Sequence, residues 1–361
     1  MPHLASPKLN PPRHALKGRG AVSNPKSRFD DTSREAFHDG WFLEEDSPNP
    51  ETVILPDNSR SVLSRHDSPD LGHSQTLNPY RGCEHGCVYC YARPTHNHFG
   101  LSAGLDFETR LFAKYDIAAL LSRELSRANY RPQTIMLGGV TDAYQPVERR
   151  LGLTRAAVEI LCETRHPFTA VTKSALVVRD RDLLAPAAAE GAASVAVSVT
   201  TLDGNLARRL EPRAASPAKR LATVRALAEA GIPVTVMVAP VIPGLNDHEI
   251  EQIVAEAHGA GATSAGYVLL RLPWDLKTLF EEWLEEHYPE RRARVLSLIR
   301  QTRNGKLYEH EWEWRHRGRG VVAKMVSDRF ALARRRCGLD GGNLCLREDL
   351  FMPPGSLRGL L

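Results

Sequence analysis

From about residue 74 the chain alternates short β-rich runs with stretches whose apolar residues recur every three or four positions. That rhythm is the signature of βα units feeding a parallel sheet. It predicts six strands, over 74–78, 134–140, 168–172, 194–200, 234–239 and 265–270. Between them, Ile117, Leu120, Leu121 and Leu125 mark one helical face, and Val147, Leu151, Thr154, Val158 and Leu161 mark another. Ser216-Pro217 reads as an N-cap followed by proline at the first helical position, ahead of Leu221, Val224 and Ala228. Asn246 or Asp247 opens a helix carrying Ile250, Ile253, Val254 and Ala257, with Gly231 and then Gly259 or Gly261 at helix ends. The predicted fold class is α/β, a partial parallel (βα)6 TIM-like barrel over residues 70–275.

Both flanks break the rhythm. Residues 1–29 hold Lys8, Arg13, Lys17, Arg19, Lys26 and Arg28, no acidic residue, and prolines at 2, 7, 11, 12 and 25. Such a stretch is expected to be disordered, and its prolines interrupt the amphipathic helix a transit peptide needs. The sign then reverses over Asp30 to Asp57, where Trp41, Phe42 and Ile54-Leu55 could dock an otherwise solvated linker. Residues 1–60 are therefore read as an N-terminal extension, disordered or loosely docked. At the other end, 274–302 predicts one or two long polar helices, and 291–361 carries 16 Arg or Lys against seven Asp or Glu. Tyr308, Trp312, Trp314 and Phe330 interleave that charge, and Trp312 and Trp314 alternate as a strand would. This helical basic region, 276–361, is expected to cover the barrel mouth or engage a nucleic acid by gripping phosphates and stacking on bases. A solvated face with buried aromatics is the plainer reading.

A net charge of +4 says little by itself, while 42% apolar residues exclude a wholly disordered or fibrous chain. No run approaches the roughly 18 apolar residues that span a bilayer, and no apolar segment follows the N-terminus. The expectation is a cytoplasmic protein with no membrane partner. Three of the six cysteines crowd into eight positions, unlike the staples of a small secreted domain. They point to a metal site.

The run from Asn78 to Tyr91 reads N-P-Y-R-G-C-E-H-G-C-V-Y-C-Y. Thiolates select an iron–sulfur cluster, zinc or Cu(I) over hard cations, and Gly82 and Gly86 let the backbone turn between Cys83, Cys87 and Cys90. A [4Fe–4S] cube ordinarily takes four cysteines. With three, either a distant Cys or a nearby histidine among His85, His96 and His98 closes the site, or one iron stays open. Cys162 falls within a helical pattern and reads as a small apolar residue. Cys337 and Cys345 are too few for a second cluster unaided.

C-x3-C-x2-C with Tyr89 just before the last cysteine, after the first strand of a (βα)6 array, resembles the radical S-adenosylmethionine superfamily. N-P-Y-x-G-C-x-H-x-C-x-Y-C-Y, then T-D-x-Y-Q-P-x-E, then T-K-S is most similar to its spore-photoproduct-lyase-related branch, the DNA repair photolyase-like proteins, over residues 74–275. The resemblance implies a [4Fe–4S] cluster on Cys83, Cys87 and Cys90, with S-adenosylmethionine chelating the fourth iron. It also implies reductive cleavage to a 5′-deoxyadenosyl radical and a reducing partner such as flavodoxin or ferredoxin. Around the cofactor it places Tyr89; Gly138, Gly139, Thr141 and Asp142 for the methionine amino group; Lys173 and Ser174 for the carboxylate; Ser198 and Thr200 for the ribose; and Ala239 for the adenine. One departure stands out. Where spore photoproduct lyases carry a hydrogen-donating cysteine, this chain has Gly139, so reversal of a thymine dimer by that route is not implied. No hydrogen donor is identified, although Tyr89, Tyr91 and Tyr144 fall near the pocket. The alternatives are a non-catalytic zinc or cluster-bearing nucleic-acid-binding protein, and a radical enzyme acting on a protein or small metabolite.

Overall fold

The computed structural model describes residues 15–29, 51–69, 73–340 and 345–356. Its strands are, in chain order, β1 (Val53–Pro56), β2 (Leu63–Arg65), β3 (Gln75–Leu77), β4 (Tyr80–Arg81), β5 (Arg110–Ala113), β6 (Ile135–Leu137), β7 (Phe168–Thr172), β8 (Ala193–Ser198), β9 (Val234–Val241) and β10 (Ser264–Leu269). The six expected strands are β3 and β6 to β10. They form a parallel array in that order, with β2 added antiparallel to the outer edge of β3. All six residues of β8 are buried, as befits a strand covered on both faces.

The sheet stays open among the described residues, its free edges being β10 and the added β2. Because the six strands run the same way, the segments that follow them meet at one rim. A small second sheet, β1-β5-β4, lies beside the first βα unit. There Ile54 and Leu55, in the segment read as a linker, pair in parallel with Leu111 and Phe112.

Helices Ile117–Leu125, Leu153–Glu163, Arg181–Ala189, Pro217–Glu229 and Ile250–Gly259 line the outside. The face read through Val147 to Leu161 is broken into Glu148–Leu151 and Leu153–Glu163 by Gly152 at φ 66°. Ser216 caps its helix as expected, accepting from the Lys219 amide at 3.4 Å. Beyond the barrel, Leu276–His287 and Pro289–Gln301 are the two expected polar helices, and Gly320–Arg336 packs on Ile250–Gly259 through Arg329 and Glu251.

Two expectations for the flanks need correction. Trp312 and Trp314 lie in a turn, not a strand; the Gly318 amide closes it on the Trp314 carbonyl at 2.7 Å. The tail at 345–356 leaves the mouth altogether. Arg347 donates to the Gly191 carbonyl, Met352 to that of Thr164, and Glu348 accepts from the Thr134 amide at 2.8 Å. Those partners precede β8, β7 and β6, so the tail crosses the amino-terminal end of the strands. Residues 15–29, read as disordered or loosely docked, form no helix or strand and dock on the core: Ala21 is fully buried and Ser27 nearly so. Trp41 and Phe42 lie outside the described residues.

Candidate active site and cysteine loop

Cys83, Cys87 and Cys90 sit on the loop after β3, with Cys83 and Cys87 buried and Cys90 partly so. The loop turns at Gly82 and Gly86, both in the left-handed region at φ 76° and 70°. Its carbonyls are held from outside. Arg93, fully buried, donates from Nε to the Cys87 carbonyl at 2.8 Å and from Nη2 to that of Gly86 at 3.1 Å, and it pairs with Glu108 at 2.5 Å. Gln145 brackets Cys83: its Oε1 accepts from the Glu84 amide at 2.8 Å, and its Nε2 donates to the Gly82 carbonyl at 3.1 Å. Thr141 donates to the same carbonyl at 2.6 Å.

Burial raises all three thiols above their ordinary range, with Asp142 adding to the rise at Cys83 and Glu211 at Cys87, while Lys173 opposes it at Cys87. The thiols lie near enough for their charges to be felt by one another. Metal loading would release protons from them. Among the described residues no three His, Cys, Asp or Glu side chains converge on the position of a single ion. A cube spreads its thiolates over separate corners and does not require that. With soft donors on one loop and the Gly82, Gly86 and Cys87 carbonyls already taken by Thr141, Gln145 and Arg93, the residues fit a cluster held by three sulfurs. Two of the histidines weighed for zinc are engaged elsewhere: His96 holds the Arg110 carbonyl at 2.8 Å, and exposed His98 makes a tilted ring contact with Phe29. His85 lies 3.2 Å from Asp142 without the alignment of a hydrogen bond.

The other rim residues fall around this loop in two groups. Asp142 is saturated by the protein itself, accepting from the Thr172 hydroxyl and the Lys173 amide at 2.7 Å and from the Tyr144 amide at 2.9 Å. Burial would raise its carboxyl, but the His85 charge and these donors bring it down to about 2. Ser174 caps the turn Ala175–Asp180 through the Leu176 amide. Thr200 donates to the Ala239 carbonyl at 3.0 Å and to Glu211 at 2.5 Å. These are internal ties.

Lys173 differs. Its ammonium stands 5.8 Å from the Tyr89 ring centre, part-buried, with no ion-pair partner within 4.0 Å among the described residues. Ser198 is buried. Gly138 adopts φ 89°, and Gly139 presents its carbonyl to the Tyr91 hydroxyl. A Cβ at Gly139 would stand 3.1 Å from both Met136 and Thr76.

Sequence reasoning passed over Glu211, Arg220, Arg93, Glu108 and Gln145. Fully buried Glu211 accepts from Tyr89, Thr200 and Arg220. Only Gln145 gave a signal, through its place in T-D-x-Y-Q-P-x-E. Cys162 donates to the Leu183 carbonyl at 3.5 Å, Cys337 packs against the core and Cys345 is exposed.

At the mouth beside β10, exposed aromatic rings carry guanidinium groups. Arg28 lies 4.3 Å over Trp274, Arg315 4.0 Å over Trp312 and Arg271 5.2 Å over Tyr91. The Leu269 amide donates to the His316 carbonyl at 2.8 Å, which fixes the Trp312 turn to the end of β10.

The family model described as the radical SAM superfamily matches residues 77–257. Over 227 residues the chain is 39% identical to an uncharacterized protein of Mycobacterium tuberculosis, covering 62% of this chain and 67% of that one. Over 219 residues it is 28% identical to an uncharacterized protein of Methanocaldococcus jannaschii, covering 61% and 78%. Among solved structures, a spore photoproduct lyase mutant with bound AdoMet and dinucleoside spore photoproduct has the same fold, with TM-score 0.56, 18% identity and 79% of each chain covered.

Proposed function

We propose, from the premise that the chain belongs to the radical SAM superfamily and is a radical S-adenosylmethionine enzyme, that Cys83, Cys87 and Cys90 hold a [4Fe–4S] cluster and that the substrate is a nucleic acid. When bound, the cluster and S-adenosylmethionine supply reductive cleavage of a C–S bond and a 5′-deoxyadenosyl radical that takes hydrogen from substrate. The observation that carries this reading is the cysteine loop itself, three thiols at the rim of a parallel array with the Gly82, Gly86 and Cys87 carbonyls already bonded elsewhere.

The protein's own residues divide the remaining work. Lys173, a part-buried ammonium without an ion-pair partner among the described residues, is suited to a cofactor carboxylate. Gly138 and Gly139 leave room for close main-chain approach, and Ser198 offers a buried hydroxyl toward the ribose. Thr141, Asp142, Ser174, Thr200 and Ala239 belong to the same wall, where their internal bonds fix its shape. Tyr89, tied to Glu211, seals the floor.

The substrate class rests on the mouth. Trp274, Trp312 and Tyr91, each with a guanidinium on its face, match what bases and phosphates require. Gly139 carries no thiol, and a side chain there would have to displace Met136 and Thr76 slightly, so the reaction is read as one that does not return hydrogen from that position. A reducing partner such as flavodoxin or ferredoxin, in the cytoplasm, would supply the electron. Anaerobic reconstitution with iron and sulfide, followed by dithionite and S-adenosylmethionine, should yield 5′-deoxyadenosine. A well-loaded protein that leaves the cofactor intact contradicts the reading.

A further inference from the structure

Residues 19–28 have no periodic pattern and no regular secondary structure, yet they join the cysteine loop to the far side of the open barrel. Glu108 accepts from the Gly20 amide at 3.0 Å and the Ala21 amide at 2.8 Å, while its Oε1 also accepts from Arg93. Arg93 in turn holds the Gly86 and Cys87 carbonyls. Gly20 lies flat on the loop, where a Cβ would run into the Gly86 carbonyl oxygen. Farther along, Ala21 packs with Leu279, Ser23 donates to Glu282, and Arg28 covers Trp274. Leu279 and Glu282 belong to the helix that follows β10, whereas the cysteine loop follows β3. The segment thus spans the gap the sheet leaves open.

A chain without internal hydrogen-bonded structure is ordered only by what it touches. Beside bonds to Ser102, Leu105 and Asp106, one contact is a buried carboxylate that both the strap and Arg93 donate to. Freeing the strap would remove donors from a buried charge and weaken the grip on the loop carbonyls.

We propose that residues 19–28 are a clasp that holds the cysteine loop in its ligating conformation and shields it from solvent, with Glu108 as the positioning residue that acts on Gly86 and Cys87 through Arg93. Its part in cluster retention rests on the cluster reading above; its part in covering the loop does not.

Two readouts on the full-length protein test this. In the metal-free reduced protein, alkylation of Cys87 by a maleimide is followed by peptide mass spectrometry. In the reconstituted protein, bleaching of the visible absorption by an iron chelator is followed without substrate. Gly20→Val should raise both rates about tenfold, the effect of easier local opening, with far-ultraviolet circular dichroism unchanged. Glu108→Gln, which keeps an acceptor, should fall between. If Gly20→Val does not fold, Ser23→Ala with Arg28→Ala, at the far end of the strap, should raise both rates to a smaller degree. Equal rates in wild type and a folded variant overturn the clasp. A wild type that takes up no cluster, while strap variants still expose Cys87, overturns the cluster reading and supports the clasp as a cover for the loop.

Discussion

Tyr89 donates its phenol hydrogen to the carboxylate of Glu211, 122 positions later in the chain. The same carboxylate accepts from Arg220, whose guanidinium is almost fully buried and also holds the Ser198 carbonyl at 3.0 Å. A buried acid thereby fixes the residue beside the third cysteine. Removing one partner of such a pair leaves the other charged and uncompensated. Glu211→Gln should cost about 3–5 kcal/mol in urea denaturation of the metal-free protein. Adding Arg220→Met should recover part of the loss, and a double variant no better than the single one would count against the pairing.

Glu211 also gives stability a pH dependence. Burial alone would raise its carboxyl, but the charges of Arg220 and Lys173 and the donors around it outweigh burial and bring it from 4.5 down to about 2. A group depressed in the folded state contributes stability above its unfolded value and loses it as pH falls through the folded one. The wild type should therefore lose stability between pH 4.5 and about 2. Glu211→Gln should lack this component, and denaturation curves of equal slope against pH would refute the assignment.

Gln145 bonds both the Gly82 carbonyl and the Glu84 amide. Gln145→Ala leaves the buried Glu84 amide unsatisfied and the Gly82 carbonyl to Thr141 alone, at a cost of about 1–3 kcal/mol. Iron and sulfide per chain after reconstitution should fall well below the wild-type value in a protein that still folds. Full loading would show that the bracket is dispensable.

The guanidinium and aromatic pair at Trp312 and Arg315 separates two contributions to nucleic-acid binding. Arg315→Ala should weaken binding to a single-stranded oligonucleotide and lower the slope of log affinity against log salt by about 1. Trp312→Ala should weaken binding by about 1–3 kcal/mol with little change of slope. Binding by titration at several salt concentrations decides, and unchanged affinity in both variants would move the substrate elsewhere.

Gly139 is packed for the absence of a side chain. Gly139→Cys must push back Met136 or Thr76, each 3.1 Å from the new Cβ, and should destabilise the protein by about 1–3 kcal/mol. A variant as stable as wild type would show that this wall yields easily.

The barrel was legible because strands covered on both faces must be largely apolar, and runs such as Val195 to Val197 and Val236 to Ala239 carry that requirement in consecutive residues. The cysteine loop was legible because its ligand spacing is local. Glu211, Arg220, Arg93 and Glu108 were not, since each reads as an ordinary surface charge until the fold brings its partner alongside. The helix break at Gly152 overrode a continuous apolar face because a residue at φ 66° cannot lie inside an α-helix. Residues 15–29 were read from composition, which describes a chain alone and not one held by a buried carboxylate.

Electron paramagnetic resonance of the reduced, reconstituted protein, recorded before and after addition of S-adenosylmethionine, bears most directly on the three-sulfur site. A cluster anchored by Cys83, Cys87 and Cys90 with one iron open should change its spectrum when the cofactor binds, and replacing any one of the three by alanine should abolish the signal. A fully loaded cluster whose spectrum the cofactor leaves unchanged would mean that the fourth iron is closed, and the proposed chemistry would have no starting point.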